Sequence, residues 1–419
     1  MKLLTKYRKA LEHETVAGIV LVIGAVLALV WANSPIREWY FALAEAEVGP
    51  SALGLHQPLE TWAADGLLAF FFFLVGMELK EEFTIGSLQN PRKALVPMLA
   101  AVFGMAGPSL VYLAVQLISG SGIYDGWAVP VATDIAFALS VLGLVGKGLP
   151  PAVRTFLMTL AIVDDLLGII IIAIFFSDGL NFGFLAAAMA LIALFWALLR
   201  RRYTHWLLLW PIGLLTWYFM FRSGVHATIS AVGLGLVVPT LVKDGEIEPL
   251  TDTITRKFSF FSAGFVLPVF AFFAAGVSVV DSGGIGSMLT DPVSMGIYLG
   301  LPFGKFLGIT GGVILLVKIF RLQLDDDVAI VDIIGISLIS GIGFTVSLLI
   351  ATLSFPAGSS HGEHARVAVL IGTLLSVILG GIVIRIRANY RIRTGLAAKD
   401  QMTMDEQDLL DGPDPAGTA

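Results

Sequence analysis

Asp164 and Asp165 are consecutive carboxylates at the centre of the apolar run 153–176, and Lys305 stands alone at the centre of another, 293–317. Asp134 lies near the centre of a third, directly after Pro130-Val131-Ala132-Thr133. An ionisable side chain inside a membrane span costs at least about 2.5–3.5 kcal/mol, so each one points to function. Three acids and one base at one depth leave an excess negative charge when all are ionised, and something cationic has to neutralise it. An ion pair of Asp164 with Lys305 is the structural alternative for those two residues. It leaves Asp165 unexplained, because helix neighbours point about 100° apart and one lysine does not satisfy both carboxylates. Adjacent carboxylates in low dielectric titrate as a coupled unit. Their oxygens are hard ligands, suited to Na+ or Li+ and poorly suited to soft metals.

The same depth holds two breaks in helical character. Residues 130–133 precede Asp134, and Ser340-Gly341-Ile342-Gly343-Phe344-Thr345 interrupts another apolar run at its middle. Isolated glycine and proline in a span can serve close packing alone. Here both breaks fall beside buried acids, and unwound backbone at membrane depth survives only where it is buried or lines a cavity. Freed helix ends carry partial charges that balance ionisable neighbours, and Asp134 is placed to do that.

The elements that must position these residues are membrane helices. Of 419 residues, 57% are hydrophobic and 14% charged, with a mean hydropathy of +0.87, against roughly 25% charged in a soluble domain. Twelve apolar runs start near Thr15, Leu59, Leu95, Trp127, Val153, Phe182, His205, Gly224, Phe258, Val293, Val331 and Ala365. Most have the length of about 20 residues that a spanning helix needs. The first, following Lys2, Lys6, Arg8 and Lys9, has a signal peptide as its alternative but is long for one. The fold expected is an all-α polytopic membrane protein of about twelve transmembrane helices. All Lys and Arg except Arg37, Arg222, Arg366 and Lys305 fall on one side of this topology when the N-terminus is inside. The positive-inside rule then makes both termini cytoplasmic. Spans three to five and ten to twelve form oppositely oriented triplets, each with its broken helix, span four or span eleven, in the middle. That pattern indicates inverted repeats around a midplane site.

The expected divisions are a cytoplasmic segment 1–14, a transmembrane domain 15–387 and a cytoplasmic tail 388–419. Asp400, Asp405, Glu406, Asp408, Asp411 and Asp414 carry the net charge of −6, and the tail reads as solvated and disordered. With no basic excess elsewhere and no nucleic-acid motif, nucleic acid is not an expected partner. Zero cysteines exclude disulfides, thiol nucleophiles and Cys-based metal sites. The stretch 44–57, with Gly49-Pro50 and Gly54, is either a plain loop or a small outer hairpin whose edges could join a homodimer. Asp65 inside span two reads as a helix N-region acid or as part of a cation path. Glu78, Lys80, Glu81 and Glu82 end that span, either with Lys80 snorkelling or as a cation funnel. His226 after Ser223-Gly224 reads as a satisfied helix-start residue or as a proton relay, histidine being the side chain that responds near neutral pH.

The chain resembles the NhaA-type sodium/proton antiporter family over nearly all its membrane portion. The resemblance rests on Phe73-Leu74-Val75-Gly76-Met77-Glu78, Ala132-Thr133-Asp134-Ile135-Ala136-Phe137-Ala138-Leu139, Ala161-Ile162-Val163-Asp164-Asp165-Leu166, Ser223-Gly224-Val225-His226-Ala227-Thr228, Gly304-Lys305 and Gly341-Ile342-Gly343-Phe344-Thr345. NhaA-type proteins are themselves a standard instance of inverted-repeat architecture, so the triplet pattern and the resemblance are not independent. The resemblance implies electrogenic exchange of Na+ or Li+ for more than one proton by alternating access, with activation at alkaline pH and no cofactor beyond the transported ions. It implies an inner-membrane location. Asp164 and Asp165 match the family's transport carboxylates, Asp165 as the cation ligand and Asp164 as the partner of Lys305. Thr133 and Asp134 match the crossing of the broken helices, and Glu78 and Glu82 match a region tied to pH response. The chain departs from the family just before span nine, where Asp252-Thr253-Ile254-Thr255-Arg256-Lys257-Phe258-Ser259 stands in place of histidines, and within it, where Ala274 replaces an Asn.

Two other classes fit less well. An intramembrane aspartyl protease needs two carboxylates facing one water from different helices and gives Lys305 no role. A cation channel would conduct without proton coupling.

Overall fold

The computed structural model describes residues 14–397 apart from positions 90, 178, 244, 326 and 357. The N-terminal segment and the acidic residues from 400 onward lie outside the described residues. Each of the twelve apolar runs holds a helix. The chain begins with α1 (Glu14–Ala32) and α2 (Arg37–Ala44), bent by 119° where they join. Then come α3 (Leu59–Thr84), α4 (Pro91–Ser119), a 3₁₀ segment Asp125–Val131 leading to α5 (Ile135–Val145), α6 (Pro151–Phe175) and α7 (Phe182–Arg200). The next four are α8 (Trp206–Arg222), α9 (Thr228–Leu236), α10 (Leu250–Ala275) and α11 (Gly284–Thr290). The last are α12 (Pro292–Lys318), α13 (Ile330–Ile339), α14 (Phe344–Ser354) and α15 (Ser360–Arg393). Among the described residues eight spans are long and apolar enough to cross a membrane by themselves, and ten if the bent pairs α1/α2 and α13/α14 each count as one. The 17-residue α8 and nine-residue α9 occupy the two remaining runs. The α15 helix runs to Arg393, past the expected domain edge at 387.

Of the two readings of 44–57, the hairpin holds, its second strand reaching Pro58. Strands β1 (Glu47–Val48) and β2 (Gln57–Pro58) pair antiparallel with Glu47 opposite Pro58. Gly49 and Gly54 both adopt positive φ there, backbone that glycine enters without a Cβ penalty.

Between membrane helices there is little hydrophobic drive, so packing of small residues decides which helices touch. The α15 helix shows both sides of that rule. Gly372, Thr373, Ser376 and Gly380 are buried, whereas Leu374, Ile378, Ile382 and Ile386 form an exposed apolar stripe with a spacing of four. The α12 helix lies against α4 through Gly107, Gly304 and Gly308, whose backbones meet with no room for side chains. A Cβ on Gly304 would stand 2.5 Å from the Cα of Pro108. Forcing extra volume into such a contact costs about 1–3 kcal/mol. Gly304→Ala is therefore expected to lower the melting temperature of the detergent-purified protein, and a wild-type melting curve would show that the two helices can separate freely.

The middle of α12 is widened into π-helical turns at Gly300–Gly304 and Phe306–Thr310, with Lys305 between them. Such turns recur at functional sites.

Candidate functional site

The two broken spans cross where their backbones are unpaired. The Asp134 N–H donates to the Ile342 carbonyl at 2.6 Å, and the Thr133 hydroxyl donates to the Ser340 carbonyl at 2.8 Å. Extended backbone at Ala132 and Asp134 ends one half-helix and starts the next. The α13 half ends at Ile339 and α14 begins at Phe344, with a 51° bend between them. Gly341 and Gly343 stay small for a steric reason: a Cβ on Gly341 would run into the Leu301 carbonyl oxygen, and one on Gly343 would lie 2.8 Å from the Ala132 carbonyl oxygen.

Asp134 joins two helix N-termini at this crossing. Its Oδ1 accepts from the Phe137 N–H at 3.1 Å, capping α5. Its Oδ2 accepts from the Thr345 N–H at 3.2 Å and from the Thr345 hydroxyl at 2.9 Å, at the start of α14. A carboxylate shared between two positive helix ends is held by charge-assisted hydrogen bonds and by both dipoles.

Beside the crossing, α6 presents Asp164 and Asp165. Lys305 Nζ donates to Asp164 Oδ2 at 2.7 Å, with both side chains fully buried. Thr133 lies next to the same carboxylate. Asp165 is 7% exposed. One oxygen of each aspartate, Asp164 Oδ1 and Asp165 Oδ1, is buried without a hydrogen-bond partner. Buried polar atoms are normally satisfied, and two orphaned carboxylate oxygens on successive residues have room in their hydrogen bonding to take a cation or a proton. Asp134 and Glu78 are the more distant acids whose charge reaches Asp165.

The remaining candidates separate into groups. Asp65, in a π-helical turn of α3, lies 3.1 Å from His226 Nε2, and His226 Nδ1 meets the Thr228 hydroxyl at 2.6 Å. The sequence offered these two residues singly; the structure brings them together. Asp65 also faces a cavity of about 170 Å³ lined by Glu60, Phe270, Ala274, Phe355 and Arg366 among others. Glu78 and Glu82 stand on the last turns of α3, and Glu81 between them lies against Thr251 and Asp252 of α10. In front of α10, where the resemblance leads one to expect histidines, Glu248 pairs with Arg256 at 2.5 Å and accepts from the Thr253 hydroxyl at 2.7 Å. Those bonds, the guanidinium first, hold the Glu248 carboxyl below the usual range, so that pair keeps its charges across physiological pH.

One buried pair was missed from sequence. Asp332, fully buried at the start of α13, binds Arg387 Nε at 2.7 Å and caps Ala329 N–H at 2.9 Å, tying α13 to α15. The signal was an acid one turn into an apolar run, hidden because it sits at a helix start, where acids are ordinary.

Because Asp134 is fully engaged with helix ends, Asp134→Asn should weaken transport or assembly without abolishing coupling between ion and proton. Reconstituted protein that is fully stable but inactive would instead give Asp134 a direct part in transport.

Residues 8–384 match the family model described as Na+/H+ antiporter 1. A protein of Renibacterium salmoninarum named Na(+)/H(+) antiporter NhaA is 43% identical over 96% of this chain and 94% of its own length. One from Streptomyces antibioticus with the same name is 44% identical over 97% and 85%. The Na(+)/H(+) antiporter NhaA 2 of Mycobacterium sp. (strain MCS) is 46% identical over 91% and 88%. These are names of transporters, and the protease alternative falls away with them. With its helices, its broken spans and matches of this extent, the chain belongs to the Na+/H+ antiporter 1 family and is a multi-pass membrane transporter.

Proposed function

We propose that the chain carries Na+, and Li+ as a second substrate, on Asp165 and Asp164 in electrogenic exchange for more than one H+ by alternating access. The observation that carries this reading is the pair of orphaned buried oxygens, Asp164 Oδ1 and Asp165 Oδ1, beside a lysine already committed to Asp164. A Na+ that takes an oxygen from each carboxylate displaces the proton held on Asp165. It also releases Lys305 from Asp164, and the freed ammonium can give up a second proton. Two protons for one Na+ moves net charge. Thr133 lies where its oxygen can complete the coordination, while Asp134 balances the helix ends as they shift.

Access from the cytoplasm runs past the Glu78 and Glu82 carboxylates, which raise the local cation concentration, and regulation by pH draws on this region and on the Asp65–His226 pair. The protein sits in the cell inner membrane with both termini cytoplasmic, an assignment supported by the clustering of basic residues on one side. The short β1–β2 hairpin has free edges suited to pairing with a second copy in a homodimer. The test is Na+- and Li+-dependent proton movement in everted membrane vesicles across pH, with and without a clamped membrane potential. Potential-sensitive, cation-driven proton flux is expected. Conduction of Na+ without proton movement would overturn the coupling.

A further inference from the structure

Far along the chain from the Asp164–Asp165 pair, at the end where α12 and α15 begin, three metal-ligating side chains converge. Asp291 Oδ2 lies 3.0 Å from His364 Nδ1 and 3.5 Å from His361 Nδ1, and one ligand atom from each residue falls within 4.8 Å of the others. Neither imidazole nitrogen makes a hydrogen bond there, although both are buried; the carboxylate is close but out of line for an N–H donor. His364 as a whole is 6% exposed. The transport reading uses none of the three residues.

The supporting contacts set each ligand for a metal. His364 Nε2 lies 3.0 Å from the Ser282 carbonyl. A carbonyl can only accept, so Nε2 carries a proton, and in the neutral ring Nδ1 then presents its lone pair. Asp291 Oδ1 is occupied by the Val293 and Ser294 N–H groups at 2.7 and 3.3 Å as the N-cap of α12, which leaves Oδ2 free. The Ser294 hydroxyl donates to the His364 carbonyl at 3.1 Å, fixing α12 against the first turn of α15. A second contact of this kind behind each ligand is the usual support of metal sites. His361 and His364 are three residues apart, so both project from one helix face.

We propose that Asp291, His361 and His364 form a Zn2+ site that clamps the ends of α12 and α15 and the Ser282 segment together. Two imidazole nitrogens and one carboxylate oxygen suit Zn2+, not Mg2+ or Ca2+, which take all-oxygen shells. Zn–N and Zn–O bonds of about 2.0–2.2 Å put tetrahedral ligands roughly 3.3–3.6 Å apart, against 3.0 and 3.5 Å for the two Asp291–histidine pairs. Three protein ligands leave the fourth position to water. Because α12 carries Lys305, the clamp holds the end of the helix that supplies the ion site.

The test uses the full-length protein in detergent, freed of any affinity tag, stripped with chelator and desalted. Zinc content is measured after equilibrium with buffered ZnCl2, and melting temperature is read with and without the metal. The wild type should bind one Zn2+ per chain saturably and melt higher with it, with excess Mg2+ and Ca2+ failing to compete. His364→Ala and, separately, the more exposed His361→Ala should each weaken binding by at least about tenfold and remove the zinc-dependent stabilisation. Using both keeps the test open if His364→Ala folds poorly. Absence of saturable zinc in the wild type, or equal zinc binding and stabilisation in a well-folded variant, overturns the site.

Discussion

Asp165→Asn is expected to reduce Na+-driven proton movement in everted vesicles to the level of vesicles lacking the protein. The substitution keeps the shape of the side chain and removes the charge. In the structure Asp165 Oδ1 is buried without a donor, so the carboxylate is not spent on holding the fold together. Asparagine offers a neutral carbonyl oxygen to a cation and has no proton to exchange, and the competition between Na+ and H+ for one group is then lost at its centre. Removing the charge of a carboxylate with an unpartnered oxygen should cost the fold little. The mutant should insert, purify and melt near the wild type, which separates loss of transport from loss of structure. Robust Na+-driven proton flux in Asp165→Asn would remove this residue as the cation ligand.

Lys305→Ala should have the largest effect on stability. Lys305 and Asp164 are both fully buried and 2.7 Å apart, and removing one partner leaves a buried charge uncompensated, at a cost of about 3–5 kcal/mol. Lys305 is also held between two π-helical turns, so its loss leaves a widened helix with nothing to fill it. The melting temperature in detergent should fall clearly. A double change, Lys305→Gln with Asp164→Asn, removes both charges and keeps most of the volume. It should recover much of the thermal stability while changing the number of protons exchanged. If Lys305→Ala melts at the wild-type temperature, the pair contributes nothing to the fold and Lys305 needs another explanation.

The depth of Asp134, Asp164, Asp165 and Lys305 could be read from sequence because depth is a local property. A run of about 20 apolar residues has a centre wherever it packs, and the basic residues at its ends orient it. The breaks at 130–133 and 340–345 were legible for a similar reason, since Pro130 removes a backbone donor and fixes φ while Gly341 and Gly343 free the backbone from helical geometry whatever surrounds it. Gly49-Pro50 and Gly54 marked turns at 44–57 but left a plain loop and a hairpin equally open. Lys305 stood out as the single base at the centre of a span, but which acid it faces was not local information; a pair with Asp164 was one alternative there and what the family resemblance implies.

Pairings between spans were decided by tertiary structure. Asp65 stands on α3 and His226 in the turn before α9, and Asp332 and Arg387 stand on different helices; each residue had an adequate local explanation as a helix-end group. Asp291, His361 and His364 belong to segments with no sequence feature in common. Helices in lipid are similarly apolar on every side, so periodicity does not say which face meets which neighbour. The choice is made by close backbone approaches such as Gly304 on Pro108 and Gly343 on Ala132, where only an absent side chain lets the helices meet. The class of protein, the span centres and the acids and base placed there were all legible in the linear order of residues. The tertiary structure decided that Lys305 is spent on Asp164, that Asp134 is spent on two helix ends, and that a carboxylate oxygen of Asp165 is left without a partner, because those contacts depend on the distance and rotation between helices.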